Sequence, residues 1–257
     1  MKVVLLAGGR GTRLSEETRV RPKPMVTIGG KPIIWHIMKL FSFYGFNDFV
    51  ICLGYKGYII KEYFSNYFLH TSDVTFHMDE DGRVDYHQCN AEPWKVTLIE
   101  TGELTNTAGR ILLAREYINN STFFCTYGDG VSNVNLRALL DFHKSSSSLA
   151  TLTSVRPPGR FGAVSVDNGR VISFQEKADS ENAWINGGFF VLEPKSLDLV
   201  SELSQSWEYD ILPLLASKGQ LSSYGHHGFW HAMDTIRDRE YLEDLWHKEN
   251  PEWKEWS

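Results

Sequence analysis

The sequence contains few cysteines, and their placement excludes several kinds of site. Cys52, Cys89 and Cys125 are the three cysteines among 257 residues, and no two of them form a CxxC pair. Because the count is odd and the spacing is wide, we expect free thiols, without a disulfide framework or a cysteine-based zinc site. Together with the lack of a signal-peptide pattern, this predicts a cytoplasmic protein.

Long apolar runs and an excess of basic residues are also missing. No apolar run approaches the roughly 18 residues that a membrane-spanning helix needs, and the N-terminal apolar run ends at Gly8. Lys and Arg together number 26 against 32 Asp and Glu, for a formal net charge of -6. Proteins that bind nucleic acid usually show the opposite imbalance. We therefore expect neither a nucleic-acid partner nor a membrane partner.

Three of the nine histidines lie close together in the sequence. His226, His227 and His231 lie in the segment HHGFWH, which is accompanied by neither a cysteine nor a helical pair of ligands. A metal site is one interpretation of this cluster, and histidines at a strand end or facing a substrate are the other.

The first 70 residues alternate between strand and helix patterns. Lys2–Ala7 and Phe49–Leu53 are short apolar runs typical of buried strands. Pro32–Tyr44 has proline in its first turn, an apolar face and Gly45 at its end, which predicts a helix. Tyr58–Leu69 predicts a second amphipathic helix. This order indicates a parallel sheet with right-handed crossovers.

Two hairpins interrupt the alternation further along the chain. Asp81-Gly82 and Asp167-Asn168-Gly169 are turn signals between short strand patterns. The hairpin strands are predicted at Val74–Met78 with Val84–His87, and at Ala163–Val166 with Val171–Glu176. Further strands are predicted at Val96–Ile99, Thr122–Thr126, Ala150–Val155 and Ile185–Leu192, and helices at Gly109–Tyr117, Asn135–Lys144, Pro194–Leu203, Tyr209–Lys218 and Ile236–His247.

The chain length fits one large domain, which we place over residues 1–257. We expect a hairpin insertion over about 73–100, and a C-terminal helix with a tryptophan-rich tail over about 235–257. Four of the eight tryptophans lie in the last 28 residues, so we expect the tail to pack against this subunit or a neighbouring one.

A glycine-rich loop follows the first strand and carries its own cation. In Leu6-Ala-Gly-Gly-Arg-Gly-Thr-Arg13, the glycine amides can cradle an anion. A dinucleotide fingerprint would place glycine or alanine where Leu14 stands, and a Walker A loop would need Gly-Lys-Ser/Thr. Lys23 is a second cation, held between Pro22 and Pro24. The pattern predicts a site for a small phosphorylated molecule.

Several further motifs occur together with this loop. They are GGRGTRL from Gly8, RPKPM from Arg21, YGDG from Tyr127, FQEK from Phe174, INGGF from Ile185 and MDT from Met233. In these motifs and in their order, the sequence resembles the sugar-1-phosphate nucleotidylyltransferases. The resemblance implies an α/β, Rossmann-like three-layer fold with a mixed, mostly parallel central sheet and hairpin insertions.

Within that family, the sequence looks most like the cytidylyl branch that acts on glucose 1-phosphate. SEET from Ser15, WHIM from Trp35, GYKG from Gly54 and PPGRFG from Pro157 carry this likeness, whereas Arg10 and Arg21 depart from it. The implied reaction converts CTP and α-D-glucose 1-phosphate into CDP-glucose and pyrophosphate. Alternatives are UTP or dTTP as the donor, and a non-catalytic nucleotide-sensing subunit.

The branch also suggests a homohexamer and a role in CDP-linked deoxysugars for bacterial surface polysaccharide, such as lipopolysaccharide O-antigen.

The resemblance also assigns the residues of the site. Arg13, Lys23 and Asp129 are the expected catalytic residues, and Asp129 and Asp234 the expected Mg²⁺ ligands. The nucleotide would contact Leu6, Ala7, Gly8, Gly9, Arg10, Gly11, Thr12, Arg13, Lys23, Thr105, Arg110 and Gly128. The sugar phosphate would contact Lys177, Asn186 and Gly187. Fixed cations are required because two like charges about 4 Å apart repel by about 4 kcal/mol at an effective dielectric constant near 20.

Overall fold

The computed structural model describes residues 1–78, 82–88, 90–156, 163–167, 170–175 and 184–256. The strands are β1 Lys2–Ala7, β2 Thr27–Ile28, β3 Lys31–Pro32, β4 Asp48–Leu53, β5 Asp73–Phe76, β6 Val84–His87, β7 Lys95–Glu100, β8 Phe123–Tyr127, β9 Gly130–Ser132, β10 Ala150–Val155, β11 Ala163–Asp167, β12 Arg170–Gln175, β13 Ile185–Leu192, β14 Leu221–His226 and β15 Trp230–Ala232. The helices are α1 Ser15–Thr18, α2 Ile33–Phe43, α3 Gly57–Ser65, α4 Tyr67–Thr71, α5 Thr107–Leu113, α6 Leu136–Ser146, α7 Leu212–Ser217 and α8 Ile236–Trp246.

Shorter helical segments connect these elements. Four are 3₁₀ turns, at Thr12–Leu14, Lys23–Met25, Ala114–Tyr117 and Pro194–Leu199, and one is a π turn at Trp207–Ile211.

A seven-stranded central sheet has the order β14-β10-β13-β8-β1-β4-β7. Strands β14, β10, β8, β1, β4 and β7 run in one direction, and β13 is antiparallel to both of its neighbours, β10 and β8. This mixed, mostly parallel sheet confirms the expected α/β fold class.

Helices cover both faces of the sheet. Val3 and Leu5 of β1 lie in one apolar cluster with residues of α2, while Val4 and Leu6 lie in a second cluster with residues of α5. Both clusters are buried, which explains why β1 reads as a continuous apolar run instead of alternating with polar residues.

The strand order brings distant segments to one edge of the sheet. Ala7 pairs with Leu53, and Leu6 pairs with Tyr127, so β1, β4 and β8 end side by side. The chain passes from β1 to β4 and β7, and then returns to β8 on the other side of β1. Such a change of direction opens a crevice at the carboxyl ends of the strands. Because β13 is antiparallel, it begins at this same edge with Ile185.

The structure differs from the sequence prediction in several element boundaries. The helix predicted over 58–69 is divided at Asn66, whose side-chain amide donates to the carbonyl of Glu62. The segment predicted as a helix near 194–203 is a 3₁₀ turn that ends at Leu199. Lys95–Glu100 falls in the range of the expected insertion, but it is the edge strand of the central sheet.

Both predicted hairpins have paired antiparallel strands, β5 with β6 and β11 with β12. The turn residues Asp81, Asn168 and Gly169 lie outside the described residues.

The tryptophan-rich tail packs against its own chain. Trp253 and Trp256 are buried in the same cluster as β1 and α2. Trp246 covers the tight turn between β2 and β3, where a Cβ atom built on Gly29 would lie 1.9 Å from the indole nitrogen. The carboxylate of Glu243 accepts the Gly29 N–H at 3.1 Å. The C-terminal helix therefore supports the segment that follows Lys23.

Cys52 and Cys125 are buried free thiols, and Cys89 lies outside the described residues. Across the portions of the chain that the structure describes, no helix combines the length and apolar character that crossing a membrane requires.

Candidate active site

A cavity of about 510 Å³ lies at the carboxyl edge of β1, β4 and β8. Its size is within the usual range for small-molecule sites. Every residue expected to contact the nucleotide lines this cavity, and so do Asp129 and Asp234. Asn186 and Gly187 line a smaller space of about 50 Å³ that shares Tyr127 and Asp129 with the large cavity. Lys177 lies outside the described residues.

Lys23 stands at the centre of the site. Its ammonium group lies 2.7 Å from Asp129 Oδ2 and 2.8 Å from Asp234 Oδ1. Pro22 and Pro24 hold the short 3₁₀ turn that begins at Lys23, and the side chain is 11% exposed. Burial alone would lower the pKa of Lys23, but the two carboxylates outweigh burial and raise it above 10.5. Lys23 therefore remains positively charged at neutral pH.

A small two-stranded sheet brings the two carboxylates together. Gly130 of β9 pairs with Ala232 of β15, and the Met233 N–H donates to the Asp129 carbonyl at 2.9 Å. Residues 129 and 234 therefore face each other across this pairing, although 105 positions separate them.

The start of α8 fixes the position of Asp234. Thr235 caps the helix in a reciprocal pair with Asp238, which also accepts the Asp234 N–H at 3.1 Å. Burial would raise the pKa of Asp234, but Lys23 and then Arg13 outweigh burial and lower it below 3.8. Asp234 is therefore ionised at neutral pH.

The glycine-rich loop places two arginines around the cavity. Arg13 lies 3.2 Å from Asp234, with its side chain 76% exposed, so it can turn toward a ligand. Arg10 pairs with Glu103 at 3.1 Å. This pair joins the loop after β1 to the segment after β7, across the mouth of the cavity.

Arg110 is buried beneath the loop and connects several strand ends. Its guanidinium donates to the carbonyls of Leu53 and Gly8, each at 3.1 Å, and to the Thr101 hydroxyl at 2.6 Å. A Cβ atom on Gly8 would come within 2.1 Å of this guanidinium, and one on Gly54 within 2.6 Å. Arg110 therefore shapes the loop as well as lining the cavity.

Sequence reasoning missed three polar residues beside the cavity. Tyr127 donates a hydrogen bond to Glu208, and Thr107 donates to the same carboxylate at 2.6 Å. Tyr127 belongs to the YGDG motif, but no local sequence pattern indicated a role for Glu208 or Thr107. Their roles depend on contacts across about 80 and 100 positions of the chain.

The donor set of the site suits a hard divalent cation. Asp129 and Asp234 offer carboxylate oxygens on the cavity wall, and their side chains are 33% and 26% exposed. Magnesium is commonly held by one or two carboxylates, with waters and substrate phosphates completing its coordination. Among the described residues, which include His226, His227 and His231, no three or more metal-ligating side chains form a cluster that could hold a metal ion.

Comparisons with known proteins show the family to which the chain belongs. The family profile described as "Nucleotidyl transferase" matches residues 2–240. A glucose-1-phosphate cytidylyltransferase of Salmonella typhi is 56% identical over 257 residues, covering all of both chains. A probable glucose-1-phosphate cytidylyltransferase of Bacillus subtilis (strain 168) is 44% identical over 259 residues, also covering all of both chains.

Among solved structures, a putative glucose-1-phosphate thymidylyltransferase from Bacillus anthracis, in complex with a sucrose, has a similar fold. The TM-score is 0.70 at 19% sequence identity, with 97% of this chain and 96% of that chain covered.

Proposed function

The chain belongs to the nucleotidyl transferase family, and from this premise we propose that it transfers CMP from CTP to α-D-glucose 1-phosphate. The products are CDP-glucose and pyrophosphate. Full-length identity of 56% to a glucose-1-phosphate cytidylyltransferase supports both the nucleotide and the sugar. The convergence of Lys23 on Asp129 and Asp234 is the structural observation that supports catalysis, because a degenerate nucleotide-sensing subunit is expected to have lost one or more of these charges.

The reaction is an in-line displacement at the α-phosphorus. A phosphate oxygen of the sugar phosphate forms the new P–O bond, and the bond to the leaving pyrophosphate breaks. Since both reactants are anions, catalysis depends mainly on positioning and on fixed positive charge.

Three groups supply that positive charge in the proposed mechanism. The amides of the loop from Gly8 to Thr12 bind the β- and γ-phosphates, and the exposed Arg13 side chain folds over them. Lys23 turns from the carboxylates to the α-phosphate and stabilises the charge that grows there. Arg110 lies beneath the loop and adds a buried positive charge close to the triphosphate.

The family generally uses a divalent metal ion, and we propose Mg²⁺ for this chain. Asp129 and Asp234 would hold it, with Lys23 released from them to the α-phosphate. The ion would supply charge neutralisation on the reacting phosphates.

In the proposed mechanism, the sugar phosphate extends into the smaller space that Asn186 and Gly187 of β13 line. We propose that Lys177 binds its phosphate and that Asn186 binds a sugar hydroxyl. We propose that the Gly187 backbone also contacts the sugar phosphate; glycine is required at this position for packing, because an added Cβ atom would lie 2.7 Å from Val155. We further propose that residues 1–257 form one catalytic domain, and that the active protein is a homohexamer.

A panel of nucleotides tests the proposed reaction. Pyrophosphate release is measured with glucose 1-phosphate and each of CTP, UTP, dTTP, ATP and GTP, with and without Mg²⁺. We expect the highest kcat/KM with CTP and no turnover after chelation of the metal. A higher kcat/KM with UTP or dTTP would overturn the cytidylyl assignment, and no turnover with any nucleotide would favour a sensing subunit. Light scattering tests the hexamer.

A further inference from the structure

Glu208 forms the centre of a hydrogen-bond network that links the nucleotide side of the cavity to the sugar side. One carboxylate oxygen accepts from the phenol of Tyr127. The other accepts from the hydroxyls of Thr107 at 2.6 Å and Ser206 at 2.7 Å. Thr107 starts α5 on the nucleotide side, whereas Tyr127 ends β8 beside Asp129. The network therefore joins three segments that are distant in the chain.

The phenol of Tyr127 keeps its proton. Burial, followed by the charge of Glu208 and its hydrogen bond, raises the pKa of Tyr127 far above 10.0. Tyr127 is the donor in its hydrogen bond to Glu208, so the phenolic proton points to Glu208. The phenolic oxygen is then left as an acceptor, and the Asn186 side-chain amide donates to it at 3.3 Å.

A second contact fixes Asn186 in the same orientation. The N–H of Gly188 can only donate, and it lies 2.9 Å from Asn186 Oδ1. The amide nitrogen must therefore face Tyr127 while the amide oxygen faces Gly188. Gly188 also permits this packing, because its φ is +78° and an added Cβ atom would lie 2.4 Å from the Tyr127 ring.

We propose that Glu208 is a positioning residue for sugar recognition, acting through Tyr127 on the orientation of the Asn186 amide. With its orientation set, Asn186 presents one remaining N–H and one remaining lone pair to the small cavity that it shares with Asp129 and Trp230. A sugar hydroxyl that both donates and accepts matches this pair, which gives a preference for one stereochemistry at that carbon. This inference rests on the proposed sugar site and extends it to a residue outside the cavity wall.

The test uses Glu208→Gln, Tyr127→Phe and the double variant in the full chain. Tyr127→Phe removes the hydroxyl that links Glu208 to Asn186. Glu208→Gln replaces one of the two acceptor oxygens with an amide NH₂ group that can only donate, so the three hydroxyls can no longer all donate to this side chain. We expect each single variant to raise the KM for glucose 1-phosphate by about 5- to 10-fold, the effect of about 1 to 1.4 kcal/mol of lost interaction. We also expect each to reduce the preference for glucose 1-phosphate over galactose 1-phosphate, with kcat changed less. The double variant should show the same KM and the same sugar preference as the single variants, because both changes break the same path from Glu208 through Tyr127 to Asn186.

Ser206→Ala is the matched control. It also removes a hydrogen bond to Glu208, but it lies off the path to Asn186, so it should lower the Tm while sugar preference stays at the wild-type value. Wild-type sugar preference in both folded single variants would overturn the proposal, and so would effects that multiply in the double variant. If wild-type protein shows no turnover, the proposed function fails instead, and calorimetric binding of the two hexose 1-phosphates still tests the role of Glu208.

Discussion

Lys23 and Asp129 form a close ion pair, 2.7 Å apart, although 106 positions separate them in the chain. A second pair of similar geometry occurs at the opposite edge of the sheet, where Lys2 lies 2.8 Å from Asp48. The Lys and Asp side chains are exposed to similar extents in the two pairs, at 11% and 33% for the first and 14% and 31% for the second. The second pair is distant from the cavity and therefore provides matched controls.

Lys23→Met should lower kcat by about 10²- to 10³-fold, because it removes a fixed cation from the site of charge development. Lys2→Met should leave kcat unchanged. Steady-state kinetics with CTP and glucose 1-phosphate compare the two variants. Equal effects of the two substitutions would contradict a catalytic role for Lys23.

The ion pairs of Lys23 should also contribute to stability over a broad pH range. The pKa of Asp234 is lowered from 3.8, so its contribution is present above 3.8 and is lost as the pH falls through the folded-state value. The pKa of Lys23 is raised from 10.5, so its contribution is present below 10.5 and is lost at higher pH. Kinetic comparison of the variants at neutral pH therefore avoids both transitions.

Asp129→Asn should abolish most activity, with kcat/KM reduced by about 10²-fold or more, since it removes charge from a metal ligand. The fold should persist, because the side chain is one-third exposed. Asp48→Asn is the control, and metal binding measured by calorimetry is the second readout. Retained activity together with unchanged metal affinity would refute the metal role.

Gly54→Ala should weaken nucleotide binding without touching the nucleotide. The added Cβ atom would lie 2.6 Å from both the Arg110 guanidinium and the Gly8 carbonyl oxygen, which displaces the loop. We expect the KM for CTP to rise by about 10-fold or more, since small misplacements in a site have large kinetic effects.

Gly225→Ala is the control for Gly54→Ala, because its added Cβ atom meets its nearest neighbour at an ordinary 3.5 Å. An unchanged KM for CTP in Gly54→Ala would show that Arg110 does not govern the loop.

Gly29→Ala should destabilise the protein more than Gly30→Ala. Both residues have positive φ, +56° and +75°, so either alanine costs about 1–2 kcal/mol in backbone strain. At Gly29 the added Cβ atom would also overlap Trp246, which adds about 1–3 kcal/mol. At Gly30 it meets no heavy atom of the described residues within 4 Å. Urea denaturation measures the difference, and equal destabilisation would exclude packing of the C-terminal helix as a support for this turn.

Protonation of His36 should destabilise the fold in mild acid. Burial lowers the pKa of His36 from 6.5 to about 4. Because the unfolded chain binds the proton first, stability is complete above pH 6.5 and declines as the pH falls toward 4. The total loss is about 3 kcal/mol, at 1.36 kcal/mol per pKa unit.

His36→Gln, which cannot titrate in this range, is the comparison for that measurement. Between pH 6.5 and 4, the free energy of unfolding of His36→Gln should fall less than that of the wild-type protein. In the wild-type protein, tryptophan fluorescence should report the transition, because His36 contacts Trp246 with ring centroids 4.7 Å apart. Identical pH profiles of the two proteins would show that His36 does not control this transition.

Local sequence patterns were sufficient for the main strands and helices near the site. Strand β1, over Lys2–Ala7, and the helix after Pro32 lie within one residue of the predicted bounds. Burial on both faces gives the strand a continuous apolar run, and burial on one face gives the helix its apolar period, so both patterns are local. The division of the helix at Asn66 was not predictable in this way, since the apolar period continues across it and the side-chain hydrogen bond to Glu62 leaves no periodic signal.

The sequence by itself determined the fold class and, through ordered motifs, the residues that surround the large cavity. Glycine-rich loops and prolines constrain the backbone locally, so the linear sequence is enough to identify them. The tertiary structure decided that Lys23 bridges Asp129 and Asp234, and that Glu208 reaches Asn186 through Tyr127. These contacts arise because parallel strands from distant segments end at one edge and β13 begins there in the opposite direction. Pairing between such distant strands depends on the whole sheet, so no local sequence pattern predicts it.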